Sequence, residues 1–96
     1  MPKIEIKKST REGKKLMAIL TYDDGKTKTI HFGSEGMDDY TITKDKDQRE
    51  RYRTRHKTDL ETKDPTKPGY LSYYLLWGNS TSLNENIKDY KKRFNL

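Results

Sequence analysis

Two kinds of hydrophobic spacing divide the chain. Up to Gly33, apolar residues recur at every second position. Ile4 and Ile6 alternate with Glu5 and Lys7. Residues 16–22 form an apolar run with β-branched Ile19 and Thr21, and from Thr27 onward Lys28, Ile30 and Phe32 alternate with Thr27, Thr29 and His31. Period-two spacing gives each strand one buried face. Arg11-Glu12-Gly13-Lys14 and Asp23-Asp24-Gly25-Lys26 separate the runs, and an Asp-Gly pair supplies the positive φ that tight hairpin turns need. The pattern predicts a three-stranded antiparallel β-meander over residues 3–33, with Ile30 and Phe32 facing the core and His31 facing the other way.

After Gly33 the spacing changes. Residues 34–44 read as an irregular connecting loop, with Tyr40 and Ile42 as its anchors. Residues 45–60 read as a helix. Asp45 and Asp47 stand where negative charge suits the positive end of the dipole, and Tyr52, His56 and Leu60 share one face. A rival strand reading exists, because Arg49, Arg51, Arg53, Arg55 and Lys57 alternate. Good helix formers and few β-branched residues favour the helix. Residues 59–67 form a polar linker. Pro68 suits a first helical position, and residues 70–77 are apolar almost all round, as in a buried helix. Gly78 is the expected C-terminal stop. Ser82-Leu83-Asn84-Glu85 is a capping box, opening a last helix with Leu83, Ile87, Tyr90 and Phe94 on one face. The expected fold is α+β: the meander, the loop 34–44 and a helical part over 45–95 with three helices, in one small domain spanning 1–96.

Composition narrows the class. Of 96 residues only 29% are hydrophobic and 38% are charged, so seven Tyr, two Phe and one Trp must supply much of the packing. The longest apolar runs, five residues at Leu16–Leu20 and at Tyr73–Trp77, are far below the ~20 residues a membrane helix needs, so no membrane partner is expected. The absence of Cys excludes a disulfide scaffold and a thiolate metal site. Met1-Pro2-Lys3-Ile4-Glu5 has no apolar leader core, so a protein that is not secreted is expected. The net charge of +6 favours anionic partners, although residues 34–64 carry eight basic and nine acidic residues and are nearly neutral.

Catalytic chemistry has little support. His31 and His56 sit in different elements without metal-ligand spacing. The aspartates fall in turns and helix starts, where they cap and solubilise. His31, Asp38, Asp39 and Asp45 are the residues that could be drawn together, but a chain this rich in Asp offers such sets by default. The expectation is a non-enzymatic protein with no metal, cofactor or small-molecule substrate. Partner chemistry is concentrated in Arg49-Glu50-Arg51-Tyr52-Arg53-Thr54-Arg55-His56-Lys57. Arginine suits bidentate phosphate contacts. On a helix, Arg49 and Arg53 form one rail and Arg51 and Arg55 another, flanking the Tyr52/His56 stripe. These cations, helped by Lys91, Lys92 and Arg93, are the candidate nucleic-acid-binding set, reading phosphate rather than sequence. Against this stands a solvated face whose arginines pair locally with Asp45, Asp47 and Glu50.

One further reading comes from motif order. His31-Phe32-Gly33, Gly36, Asp39-Tyr40-Thr41-Ile42, Lys44-Asp45, Arg49, Arg51-Tyr52, Arg55-His56-Lys57, Asp64-Pro65, Gly69-Tyr70-Leu71-Ser72, Leu75-Leu76-Trp77 and Ile87-Lys88-Asp89 resemble a family of short proteins found in the large DNA viruses of eukaryotes, the giant algal and amoebal viruses. The resemblance spans about residues 16–94. It implies a viral origin and a setting in the infected cell, cytoplasm or nucleus, or in the virion. The partner is then nucleic acid, double-stranded DNA first, or other virion proteins. It transfers no catalytic residue.

Overall fold

A computed structural model describes residues 2–96. Three strands, β1 (Lys3–Lys8), β2 (Lys14–Thr21) and β3 (Thr27–Ser34), form one antiparallel sheet in the order β1-β2-β3. Ile4 pairs with Leu20, Ala18 bridges Ile6 and Ile30, and Leu16 faces Phe32. In this register Ile4, Ala18, Leu20, Ile30 and Phe32 are buried. His31 lies on the other face, with its Nδ1 2.7 Å from Ser9 Oγ. The β2–β3 hairpin turns on Gly25 at φ +87°, and the Asp24 carboxylate accepts from Lys26 N–H at 3.0 Å. The meander read from the alternation is the one observed.

The connection after β3 is more ordered than its sequence suggests. Residues Tyr40–Thr43 make one helical turn, α1. Asp39 caps it by accepting from Thr41 N–H at 2.8 Å, and the other Asp39 oxygen accepts from Lys15 Nζ at 2.6 Å. Lys15 also donates to the Met37 carbonyl at 2.6 Å. Asp39 is buried, so this ion pair fastens the connection to β2. Of the two expected anchors, Tyr40 is buried but Ile42 is 58% exposed. A single turn has only one inward side, and Tyr40 takes it.

Helix α2 (Lys46–His56) starts at Asp45, which accepts from the N–H groups of Asp47 and Gln48. The strand alternative for this segment is excluded. The helix then tightens into a 3-10 segment, Lys57–Thr62, closed by Lys63 in the left-handed region, so the polar linker is shorter than expected. Pro68 opens α3 (Pro68–Leu71), which continues as a wide π turn over Ser72–Leu76 in which Trp77 N–H reaches back to the Ser72 carbonyl. Leu71, Leu75, Leu76 and Trp77 from this element pack with the inner sheet face. Gly78 does follow the helix, but not as a left-handed stop. The π turn ends at Trp77 with φ −122°, and Gly78 is there because of space: a Cβ would collide with the Tyr74 carbonyl oxygen.

Helix α4 (Leu83–Phe94) begins at the expected capping Ser82, which accepts from Glu85 N–H at 3.3 Å. It packs on the Ser72–Leu76 turn through tilted and edge-on ring contacts, including Tyr74 with Tyr90 at 5.9 Å and Tyr74 with Phe94 at 5.5 Å between centroids. The domain is thus α+β, the sheet followed by helices; α1 is added to the three helices expected, and the helix expected over 45–60 finishes as a 3-10 segment.

Tyr90 is 1% exposed and its hydroxyl donates to the Pro65 carbonyl. Burial, then the charges of Tyr70, Tyr74 and Asp64, push its phenol far above the ordinary 10.0, and burial raises Tyr52 and Tyr70 as well. An unfolded tyrosine releases its proton near 10 while folded Tyr90 retains it. This contribution to stability is therefore complete below pH 10 and is lost as pH rises beyond it. Urea titrations across the alkaline range are expected to show stability falling above pH 10. Tyr90→Phe should flatten that fall while lowering stability near neutrality.

Candidate nucleic-acid interface

The alternating cations of α2 divide by direction. On one side, Arg49 Nε donates to the Gly78 carbonyl at 2.6 Å and its Nη2 to Asn79 Oδ1 at 2.7 Å, with the guanidinium 5.5 Å from the Tyr40 ring centroid. One turn on, Arg53 Nη1 donates to the Trp77 carbonyl at 3.1 Å, 4.3 Å from the Tyr73 ring centroid. The end of the buried helix explains the demand. A helix end leaves carbonyls without intrahelical donors, and a buried carbonyl needs a partner. Asn86, buried on α4, meets two more by donating to the Leu75 carbonyl at 2.9 Å and the Ser80 carbonyl at 2.8 Å. Arg49 and Arg53, both proposed from sequence as phosphate contacts, thus have donors engaged within the protein, each with a backbone carbonyl and Arg49 also with Asn79 and Glu50.

Arg51 and Arg55 form the other rail of α2, and Lys57 follows at the start of the 3-10 segment. All three are exposed, and none makes an ion pair within 4 Å of a carboxylate among the described residues. The local pairing expected of Asp45, Asp47 and Glu50 is limited to Arg49 with Glu50. At the end of α4, Lys91 and Lys92 are exposed, while Arg93 lies over the Tyr74 ring and 3.7 Å from Asp89. The two basic groups sit on different helices.

Between α2 and the end of the sheet lies a groove of about 650 Å³. Lys14, Gly33 and Asp38 border it on one side; Arg55, His56 and Asp59 border it on the other. Its floor is an aromatic stack. The Trp77 and Tyr52 rings lie 4.4 Å apart and 10° from parallel, and His56 follows at 4.2 Å and 25°. His56 Nδ1 lies 3.2 Å from Asp59 Oδ2, which fixes the ring. The shared face of Tyr52 and His56 was legible from their spacing; Trp77 beneath them was not. Burial and the Asp59 carboxylate raise the Tyr52 phenol, opposed by the Ser72 hydroxyl and by Arg55. His31, on the far sheet face, Asp39, paired with Lys15, and Asp45, capping α2, are each engaged separately. Among the described residues no three His, Asp or Glu side chains are placed to share a metal ion.

Residues 4–56, which hold the sheet, α1 and α2, match the model of a Family of unknown function (DUF5754). The chain belongs to this family. Uncharacterized protein L851 of Acanthamoeba polyphaga mimivirus is 32% identical over 83 residues, covering 80% of this chain and 83% of the relative. A giant-virus relative of nearly full length agrees with the resemblance read from motif order. No solved structure matches the chain. The DUF5754 match includes every cation of α2 and, of the groove, Lys14, Gly33, Asp38, Arg55 and His56; Asp59, Gly69, Ser72 and Trp77 lie beyond it.

The carbonyl clamp gives a test of the local fold. Gly78→Ala must displace the Tyr74 carbonyl or the Asn86 side chain, with which an added Cβ would clash. Overpacking of this kind costs about 1–3 kcal/mol. Urea denaturation is expected to show that loss.

Proposed function

We propose that the protein binds nucleic acid through its phosphates, without reading sequence, and does so by Arg51, Arg55 and Lys57 with help from Lys91 and Lys92. The observation that carries this reading is the direction of the α2 cations. Arg49 and Arg53 serve the fold, whereas Arg51, Arg55 and Lys57 stand exposed without a carboxylate partner among the described residues. Unpaired guanidinium groups one turn apart can each engage a backbone phosphate. Arg93, drawn toward Tyr74 and Asp89, has a smaller part. The reading is non-enzymatic and needs no cofactor. Its setting, given the mimivirus relative, is an infected cell or a virus particle.

A second reading, a minor component of the particle acting through protein contacts, is favoured by Met37 and Ile42. These large apolar side chains are 64% and 58% exposed in the connection after β3.

Phosphate binding releases counterions, so log affinity on duplex DNA falls with log salt by about 0.9 per phosphate neutralised. Three to five contacts correspond to a slope of roughly −2.7 to −4.5. Anisotropy titrations at several salt concentrations should give such a slope, and Arg51→Ala/Arg55→Ala should weaken binding and flatten the slope by about two phosphates. Absence of binding to any strand at ~50 mM salt would leave the particle-component reading in its place.

A further inference from the structure

We propose that the groove beside α2 holds one unpaired nucleotide, its base lying on the open face of His56 and its phosphate meeting Lys14 and Arg55. The protein would then prefer single-stranded nucleic acid to duplex. This rests on the phosphate-binding reading and adds a strand type and a base site to it.

The stack Trp77–Tyr52–His56 runs from inside to outside. Trp77 is 7% exposed, and both faces of Tyr52 are occupied by its neighbours. His56 ends the series with a side chain 42% exposed, and no described ring lies on its second face. Asp59 holds the imidazole by its edge, 3.2 Å from Nδ1. Gly69 makes room for this arrangement, since a Cβ there would stand 2.9 Å from the Asp59 Cβ. A planar ring fixed at the end of a stack is a platform for one more planar ring, and nucleobases stack on aromatic side chains irrespective of sequence.

Charge around the groove selects among planar ligands. Lys14 and Arg55 border it, and so do the carboxylates of Asp38 and Asp59. Two cations suit a phosphate. Two carboxylates disfavour a ligand that is anionic throughout, such as a bare polyphosphate, but accept N–H groups of a base. A nucleotide has both ends. The groove volume, about 650 Å³, lies within the range of small-ligand sites. In a duplex each base face is already stacked, so a base must be flipped out before it can reach His56.

The test uses the full chain and three labelled probes of one length at ~50 mM salt: a single strand, the same strand without bases, and the duplex. The intact single strand should bind at least about 10-fold tighter than the abasic one and tighter than the duplex. His56→Ala should abolish the advantage over the abasic strand, while His56→Phe, which keeps a ring, should retain it. Equal binding of intact and abasic strands would overturn the base site yet leave phosphate binding standing. A base-dependent advantage that survives His56→Ala would overturn its placement on His56. No binding of any probe would overturn the phosphate reading together with this one.

Discussion

A buried helix that ends in a wide turn sets the terms for the rest of this domain. The π turn of Ser72–Leu76 places Leu75, Leu76 and Trp77 in the core and turns a row of backbone carbonyls toward neighbouring elements. Arg49 and Arg53 from α2 and Asn86 from α4 supply the missing donors. Hydrogen bonds from a charged donor are worth about 1.5–3 kcal/mol each, a large share in a chain whose core is small. These bonds fix the rotation of α2. Once Arg49 and Arg53 face inward, Tyr52 comes to lie on Trp77, His56 on Tyr52, and Arg51, Arg55 and Lys57 face solvent.

The sheet was legible because its physics is local. Alternation sets which face is buried, and Asp-Gly and Gly13 mark the turns without reference to the rest of the chain. Capping was legible for the same reason: Asp45 and Ser82 both stand at the helix starts that their side chains suggest. The loss of Ile42 as an anchor, the added turn α1 and the buried Lys15–Asp39 pair depend on how the connection wraps the sheet end. No residue pattern within that segment encodes such contacts.

The arginine run shows the same division more sharply. Spacing alone gives two equivalent rails on α2. Which rail turns inward depends on carbonyls some 24 to 29 residues away, and these lie just past the end of the following helix, where no intrahelical donor reaches them. Asn86 carried no signal beyond its place in a helix, and Gly78 was readable as a helix end but not as a close approach to Tyr74. The candidate interface was thus visible as a basic aromatic segment, while its polarity and its groove were products of tertiary packing.

Arg53 serves the fold and Arg55, two residues on, serves the surface. Urea denaturation of Arg53→Ala and Arg55→Ala, side by side, tests this division most directly. Loss of a charged hydrogen bond to the Trp77 carbonyl and of the contact with Tyr73 should cost Arg53→Ala about 2–3 kcal/mol. Arg55→Ala should stay within about 0.5 kcal/mol of the parent, as exposed substitutions do. Equal losses for the two variants, or a larger loss for Arg55→Ala, would contradict the division of the cations on α2.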